Sequence, residues 1–212
     1  LTAARGDDEA TRASAEEMIR WAAPRGAGQV EAYARHARTL AALGRGEYEY
    51  AYQQVTGISP PGTLASHVPS APWVAMDLVE AAVHTDHGPE AAAHVQAVRA
   101  ANIAALSPRL ALLAAGAAGI SASDDSAAER FEEALALPGV ERWPFDLARV
   151  RLSYGERLRR GHAIAESRGH LSTALESFRR LGAEPWAARA ATELHATGQR
   201  RSRTGSAEPA SL

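Results

Sequence analysis

Between residues 147 and 181 apolar and polar positions alternate with a helical period. Leu147, Val150, Tyr154 and Leu158 recur every three to four residues, and after a short polar turn Ile164, Leu171, Leu175 and Phe178 do the same. This predicts two amphipathic helices, each with one apolar stripe that it cannot bury alone. Gly155 lies on the inner stripe of the first helix, where a missing side chain lets the partner approach closely despite glycine's cost of roughly 1 kcal/mol against alanine. A small residue followed by apolar residues four and seven positions later occurs at Ala15, Ile19, Ala22 and at Ala51, Val55, Ile58. It recurs at Ala93, Ala97, Ala100, at Ala127, Phe131, Ala134 and at Ser167, Leu171, Ala174. Steps of 36, 42, 34 and 40 residues predict about five helical hairpins with connections of varying length. Gly46 precedes Ala51 as Gly88 precedes Ala93, so each glycine is expected to separate the two helices of a hairpin.

The remaining pattern predicts helices over 7–23, 29–43, 47–56, 72–83, 89–104, 108–119, 126–137 and 184–196. Residues 58–72, with Pro60, Pro61, Gly62, Pro69 and Pro72, form the longest loop. Ser123, Asp124, Asp125 and Ser126 supply N-cap chemistry for one helix, and Pro138-Gly139 breaks the chain before the 147–181 pair. The expected fold is all-α: antiparallel hairpins stacked as a short right-handed superhelix over 1–197. A flexible linker then covers 198–212, where the periodicity ends.

Composition reinforces the helical reading, with aromatics at 6% and no β-branched runs of the kind strands need. The 23 basic residues, all Arg, nearly balance 25 acidic ones, so the body as a whole does not read as a nucleic-acid or membrane-surface binder. Zero Cys excludes disulfides and thiolate metal sites and fits a reducing cytoplasm, the expected location. The longest apolar run, around 110–120, is too short to span a bilayer, so no membrane association is expected. Leu1 in place of an initiator Met points to a fragment of a longer polypeptide.

Gly155, Ser167, Leu171 and Ala174 stand at the spacing of the tetratricopeptide repeat, with Ser167 for the usual Ala and Arg151 where its opening Trp would be. The segments RWPFDLARVRLSYGERLRR, HLSTALESFRRLGAEPWAARAATELHATG and GEYEYAYQQVTGISPPGTLASHVPSAPWVAMDLVEAA extend the likeness over nearly the whole chain. The chain resembles the helical region preceding the DNA-binding domain of large LuxR-type transcriptional regulators of actinobacteria, the LAL type related to maltose-system activators. That resemblance implies a parent with an N-terminal ATPase module, a tetratricopeptide-like superhelix and a C-terminal helix-turn-helix, of which this chain carries the middle. ATP is implied for the parent only, since the chain has no G-x-x-x-x-G-K-[ST] motif and no Lys. DNA binding is implied only through the C-terminal domain.

The implied function is a non-enzymatic sensor and relay that couples a small-molecule effector or a protein partner to control of DNA binding. The alternative is a pure protein-interaction or self-association scaffold. Candidate effector or partner contacts are Tyr48, Tyr52, Trp73, Trp143, Tyr154 and Trp186, weighed against a role as core anchors. No catalytic, cofactor or metal residues are assigned. His84, Asp86, His87 and His94 crowd one hairpin turn but lack regular ligand spacing. Glu132, Glu133, Glu141 and Asp146 are expected on solvated helix surfaces, and Arg200, Arg201 and Arg203 form a small basic cluster beside the missing domain. A buried cluster of perturbed acids would favour an enzyme.

Overall fold

The computed structural model describes residues 2–64 and 67–199. Among the described residues eleven α-helices run in order: α1 (Thr2–Arg5), α2 (Asp8–Ala22), α3 (Gly28–Arg45), α4 (Tyr48–Thr56), α5 (Ala75–His84) and α6 (Gly88–Ala100). They continue as α7 (Pro108–Ser121), α8 (Asp124–Leu135), α9 (Pro144–Arg160), α10 (Ile164–Leu181) and α11 (Glu184–Gln199). Short 3-10 turns lead into or out of several of them, and no strand occurs among the described residues. The all-α expectation holds. Helix α11 continues through Gly198 and Gln199, past the expected start of the linker; the rest of that linker, with Arg200, Arg201 and Arg203, lies outside the described residues.

One turn geometry joins most neighbours. Gly6, Gly26, Gly46, Asp86, His162 and Gly182 each adopt a positive φ between 60° and 86°. The following N–H donates back across the helix end, as in Glu47 to Ala42 O at 2.9 Å, His87 to Ala82 O at 2.9 Å and Ala163 to Leu158 O at 2.9 Å. This closure satisfies carbonyls that a helix end leaves without partners. At the third hairpin the left-handed residue is Asp86, and Gly88 is already the first residue of α6. The repeat register there is two residues earlier than the sequence pattern indicates. Ala93 and Ala100 are exposed, while Ala91 and Val98 are buried and Val95 packs against the core. Ala15, Ala51, Ala91, Ala127 and Ser167 then alternate steps of 36 and 40 residues.

The 147–181 pair forms as expected. A Cβ on Gly155 would lie 2.6 Å from Leu171 Cγ, and Ser167 donates its hydroxyl to Gly155 O at 2.8 Å. The serine in place of alanine thereby gains a buried partner.

Successive helices pack in antiparallel pairs, but the array does not stay open. Helix α11 contacts α9 and α10 and also α3 and α1, the opposite end of the chain. Trp186 Nε1 would lie 2.8 Å from a Cβ on Gly44, and Pro185 Cγ 2.6 Å from one on Gly6, so both glycines are close-approach points for α11. One apolar core accordingly unites Ala42 and Leu43 of α3 with Ala51, Ala81, Leu152, Leu171, Phe178 and Trp186. A second lies around α7, between α5, α6, α8 and α9. Burial of Trp186 and its neighbours against α3 draws the last helix onto the first hairpin, so the two ends of the helical array are in contact.

Candidate functional site

Helix α5 is buried on almost every side, from Ala75 to Ala82, yet carries Asp77 and Glu80. Buried carboxylates need paired partners. Those partners are Arg149 of α9 and Arg189 of α11. Arg149 reaches Asp77 Oδ1 at 2.7 Å and Glu80 Oε2 at 2.7 Å. Arg189 binds Glu80 Oε1 at 2.6 Å, Glu156 Oε1 at 2.8 Å and Oε2 at 3.1 Å, and the Leu43 carbonyl at 3.4 Å. His36 Nε2 of α3 lies 3.0 Å from Asp77 Oδ2. An ionic axis thus runs through the molecule, touched by α3, α5, α9 and α11. Trp186 lies against both guanidiniums, 4.8 Å from Arg149 and 5.8 Å from Arg189.

Three carboxylates, Asp77, Glu80 and Glu156, share two guanidiniums, and their titration reflects the imbalance. Burial would raise Asp77, but Arg149 and His36 outweigh it and hold the carboxyl at about 2. Burial is likewise outweighed at Glu80, by Arg189 and Arg149, which keep it below the usual range. Glu156 goes the other way: burial, with the like charges of Glu80 and Glu193, overcomes Arg189 and raises it. His84, lowered by burial, has its Nε2 3.9 Å from Glu156 Oε2 and stacks on Tyr48 at 4.0 Å.

Glu156 and Arg189 border an opening of about 430 Å³, lined also by Gly44, Tyr48, Pro185 and Glu193. A second opening shares Gly46 and Tyr48 and reaches His84. The axis therefore has a mouth, at the end where α3 and α5 terminate.

The six predicted contact residues separate into distinct places. Tyr48 sits at the mouth, 5.4 Å from the Arg189 guanidinium. Tyr52, next along α4, stacks on His87 at 4.2 Å. Trp73 and Trp143 clasp Arg109 at 5.3 and 5.4 Å, and Arg109 binds Asp146 at 2.6 Å. Asp146, expected on a solvated surface, is 4% exposed for that reason. Tyr154 and Trp186 are core residues, stacked on Phe131 and packed among Phe145 and Phe178, and neither presents a surface to a partner. Among the residues of the crowded turn, His84 and His87 are engaged by tyrosines and His94 is fully buried, its burial holding the imidazole at about 4. Among the described residues no group of three or more His, Cys, Asp or Glu could hold a metal ion. The axis itself escaped sequence reasoning, although two acids three residues apart in a helix apolar on every side were a signal for it.

Compared with known proteins, the chain matches no family model, no curated protein and no solved structure.

Proposed function

We propose that the chain is a non-enzymatic sensor and relay domain, in which occupancy of the mouth of the ionic axis controls the seating of α11. The observation that carries this reading is Arg189: one side chain ties α11 to α3, α5 and α9 and also borders the opening. In the regulators that the chain resembles, the segment after this helix leads to a helix-turn-helix, so a shift in α11 would reach a DNA-binding domain directly. A ligand must bind one seating of α11 more tightly than the other to do this. The buried acids are spent on guanidinium pairs, which favours relay over catalysis. That no described helix is long and apolar enough to cross a membrane is compatible with a cytoplasmic regulator.

The test is a thermal-shift screen of small molecules followed by amide exchange on each stabilising compound. Altered protection in 184–199 supports the relay, because ligands of the native state raise its melting temperature and the coupling must appear in α11. Stabilisation with unchanged exchange in α11 refutes it. The scaffold reading draws on a different observation, the exposure of Trp21 at 51% and Tyr33 at 53% on the first hairpin. Concentration-dependent light scattering that Trp21→Ser abolishes would favour that alternative.

A further inference from the structure

We propose that the opening bordered by Glu156 binds a small organic cation carrying a primary ammonium group, which supplies the positive charge that the buried axis lacks. This names the effector class of the sensor reading and rests on that reading. The charge inventory leads to it. Asp77, Glu80 and Glu156 are each under 5% exposed; Asp77 has Arg149 and His36, Glu80 has Arg149 and Arg189, and Glu156 has a share of Arg189 alone. The shortfall falls on Glu156, the member that borders the cavity.

The other charges at the mouth are committed. The Arg189 guanidinium is engaged by Glu80, Glu156 and the Leu43 carbonyl. Arg45 is engaged by Glu47 and Asp8, and Glu193 by Arg159 at 2.5 Å. Glu156 Oε2 accepts one bond at 3.1 Å, and His84 Nε2 at 3.9 Å is too distant to donate a second. Glu156, nearly buried, thus has the shared Arg189 guanidinium as the one cation bonded to it and borders the cavity.

The C-terminus of α3 and the N-termini of α4 and α11 all border the opening, so the helix dipoles favour neither sign there and the carboxylate decides it. A volume of about 430 Å³ fits a small molecule, within the range of ordinary ligand pockets. An anion would meet the carboxylates of Glu156 and Glu193, with the guanidiniums of Arg45 and Arg189 already engaged.

The experiment is calorimetric titration of the whole chain with putrescine at fixed ionic strength, beside butane-1,4-diol and succinate. The expected result is saturable putrescine binding and no response to the diol or the diacid. Glu156→Gln is expected to weaken binding at least about tenfold, while Glu16→Gln on α2 leaves it unchanged. No putrescine heat, or binding that survives Glu156→Gln in the folded variant, overturns the proposal. Should Glu156→Gln fail to fold, wild-type binding of butane-1,4-diol as tight as that of putrescine overturns it instead. A putrescine failure removes the ammonium inference alone, because the sensor reading stands or falls on the exchange response of α11 to compounds of any class.

Discussion

At the scale of the residue, Glu156 and Asp77 make opposite contributions to stability with pH. The folded carboxyl of Glu156 lies above its ordinary value, so the native state holds its proton more tightly than the unfolded chain does. That contribution is complete below about pH 4.5 and is lost as pH rises through the raised value. Asp77 is depressed to about 2, so its contribution is present above about pH 3.8 and is lost as pH falls toward 2. Urea denaturation across pH is expected to show wild-type stability declining on the alkaline side of this range, with Glu156→Gln flattening that decline. An unchanged alkaline limb in the variant would remove Glu156 as its cause. Packing gives a second prediction at this scale. The space above Gly155 is filled by Leu171, which is fully buried and closely held. Gly155→Leu should cost about 3 kcal/mol through overpacking, read as a lowered melting temperature, and an unchanged value would show that the two helices are not in contact there.

At the scale of the element, the recurring left-handed turn explains both what sequence pattern revealed and where it slipped. Four of the six turns described above carry Gly, which tolerates positive φ without strain, but Asp86 and His162 occupy the same conformation. Asp has a short polar side chain and visits this region more readily than most residues, at a cost that Gly avoids. Gly88 therefore mimics a turn glycine, and the sequence pattern sets the third repeat two residues late. Asp86→Gly is expected to stabilise by about 0.5–1 kcal/mol, while Gly46→Ala should destabilise by about 1 kcal/mol. Chemical denaturation checks both, and a destabilised Asp86→Gly would contradict the turn assignment. Helix existence and the Gly155–Leu171 contact were legible because 3.6-residue periodicity and a glycine on an apolar stripe report local packing. The axis was legible only in half: an apolar α5 marks Asp77 and Glu80 as buried, but nothing near them in sequence names Arg149 and Arg189, which meet them only in the fold.

At the scale of the molecule, the closure of α11 onto α3 decides how perturbations spread. In an open repeat array each unit contacts only its neighbours, so a defect in the last helix should remain near α9 and α10. Here Arg189 also binds the Leu43 carbonyl, and Trp186 fills the space beside Gly44, so the last helix supports the first hairpin. Arg189→Met removes the guanidinium shared by Glu80 and Glu156 and leaves two buried carboxylates with one cation, Arg149, on Glu80 and none on Glu156. Breaking a buried pair in this way typically costs about 3–5 kcal/mol. Adding Glu80→Gln and Glu156→Gln to Arg189→Met should recover much of that loss, since it is the uncompensated charge that destabilises. Amide exchange separates the two architectures: in Arg189→Met, protection should fall in α3 around Ala42–Leu43 together with α11. Loss confined to α9, α10 and α11 would mean that the ends of the chain are energetically independent, and the relay through a closed axis would lose its physical basis.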